Sequence, residues 1–450
     1  MTSFIYAVLV RDRWLVYSPL QRVSALVNQA AVRELCRQEG SGRLAELASQ
    51  LHTDPERAPQ PREGSVRPQF LGLIPTRACN LRCVYCGFGA AQAPSERMAP
   101  GLAVKAVNWM GEHAQRLEQQ TLEVHFFGGE PFAAGDVVDV AVHRTRAVAA
   151  QTGLLPVLEV ATNGVYREDL ARFIGDYFDT VVLSFDGPRE IHDRRRPRGD
   201  GRGSFEAVAR TAHLLSQSPT ELCFRICVAQ DNVERLAEIV AWFSEEFQPS
   251  TIDFETLQPT PESRQAGLEP PDPYAFAVQY FRARRTAAQK GVEPNYAAAL
   301  TGTPRLSFCP VGHDALIASP DGRISACYLP EREWQERGLD LHLGRLSENL
   351  ELDTQAVGRV RRLVAEKPRC ERCFCRFSCA GGCHVHHSFP NCSKRYEDFC
   401  IQTRLITACS LLCELNQEPL AAEVMENRPA MEALALRASD RLEDWDGQIG

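Results

Sequence analysis

Short apolar runs alternate with helical stretches between residues 70 and 256, and this alternation constrains the fold more than any other feature. The runs predict six strands: Phe70–Pro75, Leu122–Phe127, Val157–Ala161, Thr180–Phe185, Leu222–Val228 and Ile252–Glu255. Apolar residues at helical spacing fill most of the gaps, as in Asn232–Phe247, which Asp231 is expected to cap. Strands that alternate with helices predict a parallel sheet with crossover helices, either doubly wound or barrel-like. Six units are fewer than the eight of a full barrel.

Seventeen cysteines are an unusual number for a chain of 450 residues that is neither small nor secretory. Grouped cysteines in such a chain more often bind metal or carry out redox chemistry than form a disulfide framework. Three lie within Cys79–Cys86 and nine lie between Cys309 and Cys400. The others are scattered, as is typical of buried thiols: Cys36, Cys223, Cys227, Cys409 and Cys413.

The charge balance argues against a nucleic-acid or membrane partner. The chain has 50 Lys and Arg against 58 Asp and Glu, a net charge of −8. An acidic balance does not hold a protein on nucleic acid or anionic lipid. The N-terminal apolar run Ile5–Val10 is too short for a signal peptide or a membrane span, so we expect a cytoplasmic protein. The arginine-rich stretch Arg194–Arg198 is predicted to be a solvated loop.

The first cysteine group has the spacing Cys79-x-x-x-Cys83-x-x-Cys86, in the loop Thr76–Gly89 that follows the first strand. A closed zinc site needs four ligands, whereas three thiolates on a four-iron cluster leave one iron open. This spacing resembles that of radical S-adenosylmethionine (radical SAM) enzymes. The resemblance implies a [4Fe-4S] cluster on these cysteines whose open iron chelates S-adenosylmethionine, and a partial (β/α)6 TIM-like barrel over residues 70–256. It also implies a 5′-deoxyadenosyl radical and an external one-electron reductant such as flavodoxin or ferredoxin.

Further residues match the cofactor-binding motifs of that family, most of them at the ends of consecutive strands. By resemblance, Tyr85 lies near the adenine and Gly128-Gly129-Glu130-Pro131 binds the methionine amino group. Asn163, Ser184 and Asp186 are expected near the cofactor, and Arg225 is expected to pair with its carboxylate. The carboxyl ends of barrel strands are where such folds build active sites.

The second cysteine group resembles the SPASM domain, a C-terminal extension that carries two auxiliary iron–sulfur clusters. The resemblance implies a distal cluster on Cys370, Cys373, Cys379 and Cys400, and a proximal cluster on Cys309, Cys327 and Cys383. A pair of structural zinc ions is the alternative for such Cys-x-x-Cys spacing.

Two departures from the SPASM pattern bear on function. Residues 302–308 lack the cysteine that completes the proximal set in relatives, which leaves an open iron unless another side chain fills the place. The candidates are Cys375, Cys392 and the histidines His384, His386 and His387, for which a surface location is the alternative. Tyr328 stands just after Cys327, where sulfatase-maturing relatives usually carry an acidic base. This weakens the interpretation as a sulfatase maturase.

The remaining regions complete the predicted organisation. Residues 1–52 resemble a small winged-helix module of the kind that binds a leader peptide as an added strand. A Pro-rich linker, residues 53–69, is expected to isolate this module from the barrel. Residues 257–308 form a connecting segment, 309–413 the SPASM domain and 414–450 a helical tail.

The resemblance implies radical modification of a ribosomally made precursor peptide, through a cross-link, a thioether or a related oxidation. Two alternatives remain open. One is a maturase of a folded protein, such as a sulfatase or a quinone-cofactor dehydrogenase, and the other is a zinc-bound interaction protein. Epimerisation would instead need a hydrogen donor, for which Cys223, Cys375 and Cys392 are the candidates. The sequence does not choose between these reactions and does not identify a catalytic base.

Overall fold

A computed structural model describes residues 4–37, 41–52, 54–90, 96–309, 311, 314–387, 396–437 and 440–445. The strands are β1 Tyr6–Val10, β2 Arg13–Ser18, β3 Val23–Val27, β4 Leu71–Leu73, β5 Thr121–Phe126, β6 Leu155–Thr162, β7 Thr180–Ser184, β8 Glu221–Val228, β9 Thr251–Thr256, β10 Glu293–Asn295, β11 Leu316–Ala318, β12 Arg323–Ser325, β13 His342–Leu346, β14 Leu350–Leu352 and β15 Asp440–Arg441. The helices are α1 Gln29–Arg37, α2 Arg43–Leu51, α3 Pro100–Arg116, α4 Gly135–Thr152, α5 Glu168–Tyr177, α6 Arg189–Arg195, α7 Phe205–Ser216, α8 Leu236–Glu246, α9 Pro261–Gln265, α10 Pro273–Lys290, α11 Glu331–Gln335, α12 Thr354–Ala365, α13 His384–His387, α14 Asp398–Glu414, α15 Glu418–Met425 and α16 Arg428–Leu436. No helix in these ranges is long and apolar enough to span a membrane.

The larger sheet has the strand order β10-β9-β8-β7-β6-β5-β4-β11-β12-β13-β14. The six predicted strands are β4 to β9, all paired in parallel, so the prediction of a partial TIM-like barrel is confirmed. The sheet continues beyond them on both sides. Strand β10 of the connecting segment pairs with β9, and β11 of the Cys-rich region pairs in parallel with β4. The second cysteine group is therefore built directly onto the barrel sheet.

The N-terminal region forms a separate four-stranded sheet, β15-β1-β2-β3, and its two faces have different partners. Trp14, Val16 and Val32 pack in a small core between this sheet and its two helices. On the opposite face, Tyr6 and Tyr17 belong to the same core as the barrel. The expectation that residues 1–52 are isolated is therefore wrong, because one face of their sheet is buried against the rest of the protein.

The predicted linker also contacts the protein along its second half. Arg361 donates to the carbonyl oxygen of Gly64 at 2.9 Å, and Nε2 of His113 lies 2.9 Å from the carbonyl oxygen of Val66. The backbone N–H of Arg67 donates to Asp314 at 2.9 Å. Because prolines and glycines give such a segment no periodic pattern, its sequence does not predict a packed structure. Nevertheless, residues distant in the sequence form hydrogen bonds with its backbone groups.

The C-terminal tail is more than the predicted helix. After α15 and α16, β15 pairs antiparallel with β1. The N–H of Leu442 donates to the carbonyl oxygen of Ile5 at 2.8 Å, and the Trp445 ring meets Trp14 edge-on with centroids 5.6 Å apart. A two-residue strand carries no periodicity that sequence inspection can detect. The tail thus covers an edge of the N-terminal sheet that would otherwise be open.

Candidate active site

The loop between β4 and α3 carries Cys79, Cys83 and Cys86, each partly exposed. Burial raises the pKa of the Cys79 thiol to about 11 and that of Cys83 to about 12, and in both cases the neighbouring Cys86 thiol adds to the increase. The three thiols therefore lie within electrostatic reach of one another. Three thiols on one turn of chain suit an iron–sulfur cluster, and the residues present fit the group that the sequence implies.

Gly128 and Gly129 press directly against this loop. The N–H of Gly129 donates to the carbonyl oxygen of Thr76 at 3.2 Å, and the N–H of Glu130 donates to that of Ala78 at 2.9 Å. A Cβ atom on Gly129 would stand 2.2 Å from the carbonyl oxygen of Ala78. Only glycine fits at this approach of two backbones, so the predicted motif shapes the cysteine loop itself.

Glu130 and Asn163 come together, as the sequence predicts, and they connect strand β6 to the cysteine loop. The buried carboxylate of Glu130 accepts hydrogen bonds from the Thr162 hydroxyl and the Asn163 backbone N–H, both at 2.9 Å. Burial raises the pKa of Glu130 to about 7, against the effect of these bonds. The amide of Asn163 in turn lies 3.5 Å from Cys79 Sγ. Both side chains therefore hold the loop in position.

Asp186 is hydrogen-bonded to Tyr85 on the other side of the cysteine loop. Its carboxylate accepts from the Tyr85 hydroxyl at 2.6 Å, from Arg196 Nε at 3.1 Å and from the Cys227 N–H at 3.1 Å. Burial would raise the pKa of Asp186, but Arg196 and Arg195 outweigh it and hold the pKa at about 2. Both oxygens are thus occupied by protein groups. Direct contact of Asp186 with the cofactor stays a prediction.

The arginine-rich stretch is not the solvated loop that its composition predicts. The Arg195 side chain is fully buried, donates to the carbonyl oxygen of Cys227 at 2.7 Å and pairs with Asp231. Asp231 is thereby occupied as an ion-pair partner, whereas we expected a helix cap. The backbone N–H of Val84 donates to the carbonyl oxygen of Arg195 at 2.9 Å. The sequence pattern does not predict the burial of Arg195, because Cys227, Asp231 and Val84 all lie more than thirty positions away from it.

Arg225 and Ser184 are adjacent across β7 and β8, so the structure brings together two predicted cofactor residues. Arg225 Nη2 lies 3.2 Å from Asp253 Oδ2, and 35% of the Arg225 side chain remains exposed. Asn295 donates to the other oxygen of Asp253 at 2.8 Å. The guanidinium is therefore oriented by the neighbouring strands and still accessible to an anionic group.

The concave face of the barrel carries polar residues that sequence inspection overlooked. Along β5, Leu122 and Val124 are buried, whereas the alternating residues Glu123 and His125 are partly exposed. His125 Nε2 lies 2.6 Å from Glu123 Oε1, and its Nδ1 lies 3.8 Å from Glu159 Oε1 on β6. Parallel strands are usually apolar on both faces, so charged residues at every second position were the available signal. Glu123, His125 and Glu159 thus form a polar cluster on one face of β5 and β6.

Tyr328 lies within electrostatic reach of this polar cluster. Its ring lies 4.9 Å from that of Phe127, and its hydroxyl lies 2.5 Å from where a Cβ atom of Gly72 would be. That hydroxyl is buried without a hydrogen-bond partner among the described residues. Burial raises the pKa of Tyr328 well above its usual value, and the carboxylates of Glu159 and Glu123 add to the increase.

The four predicted ligands of the distal cluster line one cavity in the Cys-rich region: Cys370, Cys373, Cys379 and Cys400. Burial raises the pKa of Cys370 to about 12 and that of Cys400 to about 11, with Cys373 adding to both. Four thiols around a shared cavity fit an iron–sulfur cluster. No three His, Cys, Asp or Glu side chains within the described part of the chain are close enough to hold a single metal ion. The ligand assignment itself stays a prediction.

The three predicted proximal ligands form a second group. Burial raises the pKa of Cys309 to about 12, with a further contribution from Cys383. The pKa of Cys327 is also raised by burial, with contributions from both of the other thiols. Cys375, by contrast, lines the distal cavity next to Cys373, which removes it as a candidate for the proximal set.

The remaining candidates for the fourth proximal ligand differ in what the structure shows. Cys392 lies outside the described residues. The His387 ring is stacked on Phe399 at 3.9 Å and lines the distal cavity. His384 is only 2% exposed, so the alternative of a surface location is wrong for it. Its Nε2 has no hydrogen-bond partner among the described residues, and His386 is partly exposed, so both histidines stay candidates.

Comparison with known proteins agrees with the site. A sequence model of the Radical SAM superfamily matches residues 73–243. Similar proteins include the radical SAM cyclopropyl synthase TigE of Paramaledivibacter caminithermalis (21% identity over 40% of this chain and 39% of TigE). The serine-type anaerobic sulfatase-maturating enzyme of Klebsiella aerogenes is 25% identical over 69% of this chain and 78% of its own length. The PqqA peptide cyclase of Gluconobacter oxydans is 26% identical over 57% and 69%. The chain thus spans well under half of the first relative and more than two thirds of the other two.

Two solved structures share the fold. The structure of anSMEcpe with bound AdoMet and the Cp18Cys peptide covers 78% of this chain and 99% of its own, with a TM-score of 0.62 and 20% identity. The match to Streptococcus suis SuiB bound to S-adenosylmethionine covers 86% of this chain and 95% of the SuiB chain, with a TM-score of 0.52 and 12% identity. The superfamily match and the sequence relatives favour an enzyme over a zinc-bound interaction protein.

Proposed function

With a radical SAM domain in residues 73–243 as the premise, we propose that this enzyme modifies a ribosomally made precursor peptide by radical hydrogen abstraction. The observation that carries the proposal is strand β3 at the margin of the N-terminal sheet. An unpaired strand edge offers backbone donors and acceptors to an extended peptide, which gains affinity from main-chain hydrogen bonds. A leader segment is the natural occupant of such an edge.

The arrangement of the N-terminal sheet supports this choice of edge. Strand β1 is covered by β15, so β3 is the outer strand that carries no neighbour among the described residues. All five residues of Val23–Val27 are partly exposed. The opposite face of the sheet is buried against the main core through Tyr6 and Tyr17. A peptide bound to β3 would therefore be attached to a platform that is rigidly joined to the barrel.

The chemistry of the proposal is divided between the cofactor and the chain. A [4Fe-4S] cluster and S-adenosylmethionine, when bound, supply the 5′-deoxyadenosyl radical. Cys79, Cys83 and Cys86 would hold that cluster, and the exposed third of the Arg225 side chain would receive the cofactor carboxylate. The segment of the peptide that is attacked would then lie against the polar cluster around His125.

The two further cysteine groups fit an oxidative outcome. When a new bond replaces two hydrogen atoms of the peptide, the first leaves as a hydrogen atom that converts the 5′-deoxyadenosyl radical into 5′-deoxyadenosine. The second leaves as a proton and one electron. Two auxiliary clusters, one held in the distal cavity and one held by Cys309, Cys327 and Cys383, would supply an acceptor for that electron. An external reductant of the flavodoxin or ferredoxin class would supply the electron that starts each turnover.

A maturase of a folded protein is the second candidate, and the relation to the Klebsiella enzyme over 78% of that protein's length favours it. Tyr328 argues in the other direction. Its phenol stands where sulfatase-maturing relatives usually have an acidic base, and its hydroxyl lies over Gly72 without a partner among the described residues.

Two neighbouring proline substitutions test the leader edge. Successive residues of a strand point their N–H groups in opposite directions, so one of Ser24→Pro and Ala25→Pro removes a donor facing outward and the other removes a bond to β2. A search for a short open reading frame beside the gene supplies the candidate precursor peptide, which is synthesised with a label and used as the ligand. We expect the outward variant to lose about tenfold in affinity while keeping its iron and its cleavage of S-adenosylmethionine.

The same peptide, incubated with the reduced enzyme and S-adenosylmethionine, should lose hydrogen atoms in pairs by mass spectrometry. Equal affinity of wild type and both proline variants would reject leader binding at β3. An unchanged peptide mass together with modification of a folded sulfatase would replace the proposal by the second candidate.

A further inference from the structure

Arg404 is a cation buried inside the Cys-rich region. It lies on α14, four residues after Cys400, and is 1% exposed. Removing a guanidinium from water is unfavourable unless hydrogen bonds and nearby negative charge compensate for the lost solvation. The groups around Arg404 therefore indicate what it stabilises.

Its contacts point towards the distal cavity. Nη1 donates to Cys373 Sγ at 3.4 Å, and the guanidinium lies 4.4 Å from the Tyr396 ring centroid and 4.9 Å from that of Phe374. Nε donates to the carbonyl oxygen of Ala435 at 2.8 Å. These contacts hold the guanidinium in one orientation, with an N–H group directed at the Cys373 sulfur.

The cavity that Arg404 lines is the one formed by the four predicted distal ligands. Four thiolates around a cluster core of two positive charges carry a net charge of minus two, and one-electron reduction makes the charge more negative. A fixed positive charge in a buried site, together with an N–H···S hydrogen bond, favours the reduced form.

We propose that Arg404 is a positioning residue that raises the reduction potential of the distal cluster, through its charge and its hydrogen bond to Cys373. This goes beyond the proposed function, because it concerns the electron affinity of one site whatever the substrate is. It rests on the distal cluster that the proposed function includes. The consequence is that the distal site holds an electron more readily than it would with a neutral residue at position 404.

The test uses full-length protein with Cys79→Ala, Cys83→Ala and Cys86→Ala, which removes the signal of the radical cluster. Reduction by dithionite is followed by electron paramagnetic resonance at controlled potential. In this background Arg404→Gln should lower the equilibrium constant for one-electron reduction of the distal cluster at least tenfold, about 59 mV. Arg404→Lys keeps the charge and should restore part of that loss.

Arg369→Gln is the matched control. Arg369 lines the same cavity, but it is 35% exposed and pairs with Glu397 at 3.1 Å, so solvent and a carboxylate screen its charge. Arg369→Gln should change the equilibrium constant for reduction of the distal cluster much less than Arg404→Gln does. Equal shifts for the two variants, or an unchanged potential in Arg404→Gln, would overturn the inference.

A second measurement covers the case in which Arg404→Gln does not fold. Unsubstituted protein labelled with nitrogen-15 arginine is reduced, and the hyperfine coupling of the distal signal is recorded. A nitrogen-15 coupling is expected, and its absence would overturn the contact. Absence of distal iron in the background protein would overturn both the inference and the auxiliary cluster. If Arg404→Gln shifts the potential as expected but the peptide is not modified, the proposed peptide substrate is rejected and the inference about Arg404 stands.

Discussion

Asp186 provides the sharpest test of how the cysteine loop is held. Asp186→Asn keeps the size of the side chain but removes the charge that pairs with Arg196, which is 8% exposed. Breaking a buried pair by neutralising one partner leaves an uncompensated charge and costs about 3–5 kcal/mol. Because the amide oxygen can still accept one hydrogen bond, we expect the lower end, about 3 kcal/mol.

Differential scanning calorimetry of the reduced, anaerobic protein at pH 7 measures this effect. For a unit the size of the barrel, about 3 kcal/mol lowers Tm by about 6–12 °C. The variant should also lose radical-cluster iron, because Tyr85 and the adjoining cysteines lose their anchor. Tyr85→Phe removes only the 2.6 Å hydrogen bond to Asp186 and should cost about 1.5 kcal/mol, or about 3–6 °C.

The pKa of Asp186 sets the pH range of the effect. Its folded value of about 2 lies below the usual value of about 3.9, so the ion pair contributes fully above about pH 4 and is lost as the pH falls towards 2. The difference between wild type and Asp186→Asn should therefore persist at neutral pH and shrink only in acid. Asp200→Asn is the control, since Asp200 makes an exposed pair with Arg202 in the same region. If Asp186→Asn and Asp200→Asn have the same Tm at pH 7, Asp186 does not anchor the cysteine loop.

Three further predictions address the rest of the site. Gly129→Ala should lower the iron content of the radical-cluster site, because the added Cβ atom would lie 2.2 Å from a carbonyl oxygen of the cysteine loop. Iron bound at the proposed auxiliary sites should remain when total iron is measured. Gly135→Ala is the control, since the space around Gly135 is open and its iron content should equal that of wild type. Arg225→Ala should weaken binding of S-adenosylmethionine by about 1.5–3 kcal/mol in equilibrium dialysis, and an unchanged dissociation constant would remove Arg225 from the site. Deletion of residues 1–27 should yield aggregated protein in size-exclusion chromatography, because it uncovers the core surface that Tyr6 buries, whereas a monodisperse product would support an isolated module.

Local patterns in the sequence account for the barrel and for the first cysteine motif. The six strands lie within a few residues of their predicted positions, because apolar runs separated by helical stretches are legible over ten to twenty residues. The spacing of Cys79, Cys83 and Cys86 is equally local. The matching superfamily covers residues 73–243, in agreement with the resemblance drawn from those cysteines. The division of the later cysteines into two groups also agrees with the predicted sets, although their metal stays a prediction.

What the sequence did not reveal depends on partners far apart in the chain. Arg195 meets Asp231, 36 positions away, only because the chain folds back there, and no composition rule distinguishes such a buried arginine from a solvated one. Strand β15 exists because β1 leaves an edge within its reach. The sequence by itself determined the positions of the six barrel strands and the first cysteine motif, since both follow from short-range periodicity and spacing. The tertiary structure alone decided which charges are buried and which edge of the N-terminal sheet stays open among the described residues, because desolvation and pairing depend on distance in space.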